Sequence, residues 1–127
     1  MNKAFQDLID FHRACDVPAY SMPAIPPADR VQLRRDLLRE EYEELERAVE
    51  AEDLVEIADG LVDMIYVATG TALEYGIDLP AVWDEIHASN MRKADPATGK
   101  VTKRQDGKIM KPAGWQPPDV RRALGLE

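Results

Sequence analysis

The chain holds a single cysteine, Cys15, in 127 residues. No internal disulfide can form, and a lone thiol suits a reducing cytoplasm. Cys15 lies beside apolar positions of an amphipathic stretch, so a buried, unreactive thiol is expected. Histidine is almost as scarce. Only His12 and His87 occur, and neither stands three residues after a glutamate, which excludes the paired Glu-x-x-His motifs of a di-iron carboxylate bundle. Neither shares a local pattern with Cys15 or a serine that would make a nucleophilic triad, and both are expected to be hydrogen-bonded structural residues. No apolar run approaches the roughly 20 residues that cross a membrane. The start, Met1-Asn2-Lys3-Ala4-Phe5-Gln6-Asp7, reads as an amphipathic helix rather than a signal peptide, so neither membrane nor leader is expected.

Basic residues are also in deficit, 16 Lys+Arg against 24 Asp+Glu, for a net charge of −8. The deficit is uneven. Residues 1–91 carry 7 basic and 20 acidic side chains, whereas residues 92–127 carry 9 and 4. A nucleic-acid binder needs a dominant basic face, so that class is excluded. An acidic body suits the holding of cations, and a basic tail offers lysines to an anion.

Hydrophobic spacing predicts an all-α fold of four to five helices in one domain, residues 1–127, with a helical body (1–93) and a mostly irregular tail (94–127). A first helix runs from about Lys3 to Cys15. Pro18, Pro23, Pro26 and Pro27 make the next segment extended. Asp29 is expected to cap a second helix reaching about Glu52, a break at Glu52-Asp53 starts a third ending near Gly76, and Asp78 with Pro80 opens a fourth reaching about Lys93. In the tail, Val101-Thr102-Lys103 and Lys108-Ile109-Met110 are expected to pair across Gln105-Asp106-Gly107, and Pro118 to Leu126 to add a helical turn or two.

Two acidic clusters sit in helical sequence, Arg39-Glu40-Glu41-Tyr42-Glu43-Glu44 and Glu56-Ile57-Ala58-Asp59-Gly60-Leu61-Val62-Asp63. At about 100° per residue, Leu37, Leu38, Tyr42, Leu45, Ala48 and Val49 define the apolar face of the second helix. Glu43, Glu46 and Glu50 point away from it to solvent. Glu41 falls in the middle of the apolar stripe, with Glu44 and Glu40 at its border. On the third helix, Glu56, Asp59 and Asp63 form a narrow stripe on a cylinder otherwise apolar nearly all round, a helix expected to be buried on most sides. So apolar a helix exceeds what a chain this short buries alone, which implies a symmetric homodimer or a dimer of dimers. Inward carboxylates need a partner. Arg34, Arg35 or Arg39 would neutralise some of the charge; otherwise the all-oxygen set suits Mg²⁺ or Mn²⁺, and such cations take substrate phosphates.

The series Glu40-Glu41-x-x-Glu44, Glu56-x-x-Asp59-x-x-x-Asp63-x-x-Tyr66 and Asn90-x-x-Lys93 resembles the all-α nucleoside triphosphate pyrophosphohydrolases. These include MazG-like enzymes, dimeric dUTPases and phosphoribosyl-ATP pyrophosphohydrolases. Phe11-His12, the proline-rich connection and the tail Asp106-Gly107-Lys108 with Lys111-Pro112-x-Gly114-Trp115-x-Pro117 resemble the small MazG-like branch with a dUTP-hydrolysing Deinococcus member. The resemblance implies a hydrolase that cleaves an NTP or dNTP to the monophosphate and pyrophosphate with Mg²⁺, Mn²⁺ substituting. Glu41, Glu44 and Asp63, with Asp59 or Glu56, would hold the metal. Read literally, the Glu-x-x-Asp pair is Glu56 and Asp59; anchored on Asp63, its glutamate position is Gly60, and the fourth ligand stays open. Glu40, with Glu41, would act on the attacking water. Asn90, Lys93, Lys111 and Trp115 are the candidate substrate contacts, although packing alone also accounts for Trp115, as it does for Trp83. The other class of function is a non-catalytic helical module that senses metal or nucleotide.

Overall fold

The structure, a computed structural model, describes residues 1–126. It is all-α, with helices α1 (Asn2–Ala14), α2 (Ala28–Glu50), α3 (Leu54–Glu74), α4 (Leu79–Met91) and α5 (Val120–Ala123). Among the described residues β-pairing is limited to two isolated antiparallel bridges. The chain divides into two compact units, Met1–Leu79 and the segment from Pro80 onward.

In the first unit α2 and α3 form the main helix pair, and α1 packs on α3. Arg34, early in α2, bonds to Val67 and Thr71, late in α3, while Leu45, late in α2, meets Gly60, early in α3. The pair is therefore antiparallel. The tight connection depends on Glu52, which takes a left-handed conformation (φ 54°), and on Asp53. The Asp53 carboxylate accepts from the amides of Val55 (3.1 Å) and Glu56 (3.2 Å) and so caps α3. The cap expected at Asp29 is not there. Pro27 stands at the N-cap, and its carbonyl accepts from Arg30 and Val31. Asp29 lies within the first turn, where its charge suits the positive end of the helix dipole.

The connection from α1 to α2 is strapped to the end of α3. The Tyr20 amide donates to Leu73 O (2.9 Å) and the Ala24 amide to Tyr75 O (3.0 Å). Gly76 takes φ +67°, and a β-carbon there would collide with the carbonyl of Met22. Beneath the strap lies a polar core. Glu74, with 1% of its side chain exposed, accepts from Arg30 Nε at 2.6 Å and lies 3.0 Å from Arg34 Nη1. Burial pulls the Arg34 guanidinium below its ordinary pKa, and the Glu74 charge opposes that shift. Buried His12 donates from Nδ1 to Pro18 O at 2.9 Å, the structural role expected of it. A β-carbon at Gly70 would stand 2.7 Å from Arg34 Nη2 and 2.8 Å from His12 Nε2. Glycine is what lets both side chains close over α3. Arg34 is thus engaged with Glu74 and does not neutralise the acidic clusters. No ion pair joins Arg35 or Arg39 to them among the described residues.

Two burial expectations are corrected. Cys15 is exposed, because α1 ends at Ala14 and the chain turns away through Asp16 at φ 54°. The third helix is not buried on most sides within one chain. Leu54 and Val55 are 78% and 75% exposed, and Leu61, Val62 and Ile65 are also open, since only α1 and α2 pack extensively on α3. On α2, Tyr42 and Val49 are likewise exposed.

In the second unit α4 ends at Met91, and the chain tightens through i→i−3 bonds from the amides of Lys93 and Ala94. The tail pairs in part as expected. Lys103 bridges Ile109, and the Met110 amide donates to Thr102 O (2.7 Å), around a turn closed by Gly107 N to Arg104 O (2.9 Å); Val101, expected in the same pairing, bridges Ala94 instead. Asp119 caps α5 through the Arg122 amide, while its own amide donates to Glu85 Oε1 at 2.8 Å. Trp83 is 54% exposed, so packing does not account for it as expected. Trp115 is held down by a bond from its Nε1–H to Ser89 O (2.8 Å).

Candidate active site

Antiparallel packing of α2 on α3 brings the two acidic clusters together. One carboxylate oxygen from each of Glu41, Glu44 and Asp63 lies within 4.8 Å of the others. Three like charges that close repel one another, and among the described residues no lysine, arginine or histidine forms an ion pair with any of them. Glu41 carries most of the strain. It is half-buried, and its Oε2 is fully buried without a hydrogen-bond partner. Burial pushes its carboxyl above the ordinary glutamate pKa, and the charges of Asp63, Glu44, Glu40 and Asp59 push the same way. An orphaned buried oxygen beside two further carboxylates fits a hard divalent cation, which takes oxygen ligands and relieves both burial and repulsion.

The other acidic candidates divide by distance along α3. Asp59, one turn before Asp63, is exposed but near enough to raise the Glu41 pKa. Glu56 lies seven residues before Asp63, about 10 Å along the helix axis; it is exposed and belongs to neither the triad nor the charges acting on Glu41. Glu40 is exposed at the border and acts on Glu41 electrostatically. Glu43, Glu46 and Glu50 face solvent, as their helical positions require. Gly60, at the expected glutamate position, is buried, and a β-carbon there would lie 3.3–3.4 Å from Leu45. Any side chain there requires Leu45 to give way by a few tenths of an ångström.

The Glu74 pair with Arg30 and Arg34 carries no motif spacing. Its one sequence signal is a lone glutamate at the end of an apolar helix, and it was not among the expected groups.

The second unit holds its own polar cluster. Lys93 Nζ donates to Asn90 Oδ1 at 2.9 Å. The ammonium groups of Lys93 and Lys111 stand 5.2 and 5.0 Å from the centroid of the Trp115 ring. They border a cavity of about 990 Å³, with Met91 and Met110 among its walls. All four expected substrate contacts therefore gather in one place. No helix in the structure is long and apolar enough to cross a membrane.

No curated protein matches the chain. The model of one family, phosphoribosyl-ATP pyrophosphohydrolase, matches residues 8–90, a span that contains α2, α3 and the whole carboxylate cluster. The chain belongs to the phosphoribosyl-ATP pyrophosphohydrolase family and is a hydrolase of phosphoric anhydrides that acts on a nucleotide.

Proposed function

We propose that this hydrolase cleaves a nucleoside or deoxynucleoside triphosphate, dUTP among the candidates, to the monophosphate and pyrophosphate, using Mg²⁺ with Mn²⁺ able to substitute. The observation that carries this reading is the Glu41–Glu44–Asp63 triad with its orphaned Glu41 Oε2. Asp59 is the neighbour best suited to complete the ligand set, because its charge already reaches Glu41; Glu56 is the weaker of the two. Bound there, a divalent cation supplies charge neutralisation for the phosphate oxygens and lowers the pKa of water. Glu41 coordinates a cation only as the carboxylate, and its raised pKa makes metal binding weaken as pH falls. Glu40, exposed at the border, orients or deprotonates the attacking water.

Asn90 and Lys93 make substrate contacts, Asn90 holding the ammonium of Lys93 in position. Lys111 and Trp115 act with them. A second copy of the chain covers the open face of α3, formed by Leu54, Val55, Leu61, Val62 and Ile65, and the protein works as a homodimer. An exposed Cys15 without a partner suits the cytoplasm.

The test is a panel of ribo- and deoxyribonucleoside triphosphates with Mg²⁺ or Mn²⁺, assayed for both products. Equal amounts of monophosphate and pyrophosphate are expected from at least one nucleotide. Release of orthophosphate instead, or no hydrolysis with either metal, would overturn the proposal.

A further inference from the structure

Lys93 and Lys111 approach the same indole ring, each about 5 Å from its centroid. Neither forms an ion pair among the described residues. Lys93 gives one of its three donors to Asn90 Oδ1. Lys111 forms no side-chain hydrogen bond among the described residues and is exposed. The face of an aromatic ring attracts an ammonium without replacing the strong acceptor that a charged donor seeks. Two such charges held at one ring repel each other, and an anion reaching both would relieve that repulsion.

The arrangement is braced. Trp115 is fixed by its Nε1–H bond to Ser89 O and by the turn bond from its amide to Pro112 O (3.1 Å). Ser89 is 1% exposed, so the anchor is firm. Arg92 adds a third cation to the cavity wall and donates to Gln116 O at 3.2 Å. Asp95, the one carboxylate among the lining residues, accepts the amide of Ala97 at 2.8 Å. The cavity is large, open and net positive.

We infer that this cavity binds a phosphoanhydride anion such as pyrophosphate through Lys93 and Lys111, without any metal, with Trp115 holding both ammoniums at the cavity wall. Pyrophosphate carries more charge and more acceptor oxygens than orthophosphate, so it gains more from a cavity wall bearing several cations. The inference deepens the substrate contacts proposed above and rests on that reading for its biological ligand. Pyrophosphate is also the product of the proposed reaction, so the same cradle makes the enzyme sensitive to its own product.

The test uses the full-length protein carrying Trp83→Phe, which leaves Trp115 as the only indole, in EDTA. Inorganic pyrophosphate is titrated while Trp115 emission is followed, and calorimetry supplies a second readout. Saturable binding is expected, with orthophosphate weaker by about tenfold or more. Lys93→Gln and Lys111→Gln should each weaken pyrophosphate binding by about tenfold, as loss of a charged hydrogen bond implies. Four outcomes would overturn the inference. One is absence of saturable binding by both methods. A second is an equal response to sodium chloride at matched ionic strength, and a third is retention of binding in the double lysine variant. The fourth is tighter binding of a nucleoside monophosphate than of pyrophosphate, which would make Trp115 a platform for the base. Glu41→Gln separates this inference from the proposed hydrolysis: it should abolish turnover and leave pyrophosphate binding in EDTA intact.

Discussion

Leu45 on α2 lies against the backbone of Gly60 on α3, its Cδ1 3.3 Å from where a β-carbon would stand. On the register anchored at Asp63, Gly60 stands where a glutamate is expected, and it lets α2 and α3 approach each other closely.

Restoring the motif should therefore do harm. Gly60→Glu forces a charged side chain into the helix contact, and overpacking of this kind costs about 1–3 kcal/mol. Thermal unfolding should show a clear fall in Tm with no gain in stabilisation by Mg²⁺. A more stable protein with tighter metal binding would mean that the helices part easily at this point.

Glu41 sets a pH dependence whose direction is fixed by its raised pKa. The folded protein holds the Glu41 proton more tightly than the unfolded chain does. Its contribution to stability is full below the ordinary glutamate range and disappears as pH rises through the raised value. Above that raised value and without metal, the ionised carboxylate opposes folding. Glu41→Gln should accordingly raise the Tm of the metal-free protein at pH 7 and lose that advantage near about pH 4, where free glutamates titrate. Melting curves in EDTA across this range decide the matter; a lower Tm at pH 7 would contradict it.

Much of this was legible in the sequence, and the remainder divides by physical cause. Helical periodicity located the elements because apolar spacing is a local property. It separated Glu43, Glu46 and Glu50 from Glu41 because one helix has one buried face. It could not rank Glu56 against Asp59, since that depends on how far α2 reaches along α3, which the Leu45–Gly60 contact sets. Arg34 was a plausible partner for the clusters by sequence proximity, yet it joins Glu74, 40 residues away. Cys15 and Trp83 lie open because burial depends on neighbours that no short window contains.

The Glu74 pair carries stability rather than chemistry. Glu74→Ala would leave the largely buried Arg34 without its counter-charge. Breaking a buried pair in this way costs about 3–5 kcal/mol. Urea denaturation should report a loss in that range, and a change near zero would mean that water replaces the carboxylate.

The open apolar face of α3 bears on assembly. A homodimer should sediment near twice the 14.3 kDa chain mass, and Val62→Glu, in the middle of the exposed face, should shift it toward one chain mass. Sedimentation of the unaltered protein as a monomer at all concentrations would exclude the homodimer.

In the proposed mechanism Glu41, Glu44 and Asp63 form the catalytic metal centre of a nucleotide pyrophosphohydrolase. Its most direct test is Mg²⁺-dependent pyrophosphate release by Glu41→Gln and Asp63→Asn, measured beside the unaltered enzyme on the best nucleotide of the panel. Both variants should fold, lose stabilisation by Mg²⁺ and fall by at least about a hundredfold in rate, as the loss of a ligand to a catalytic cation implies. Full activity in either variant would contradict the account.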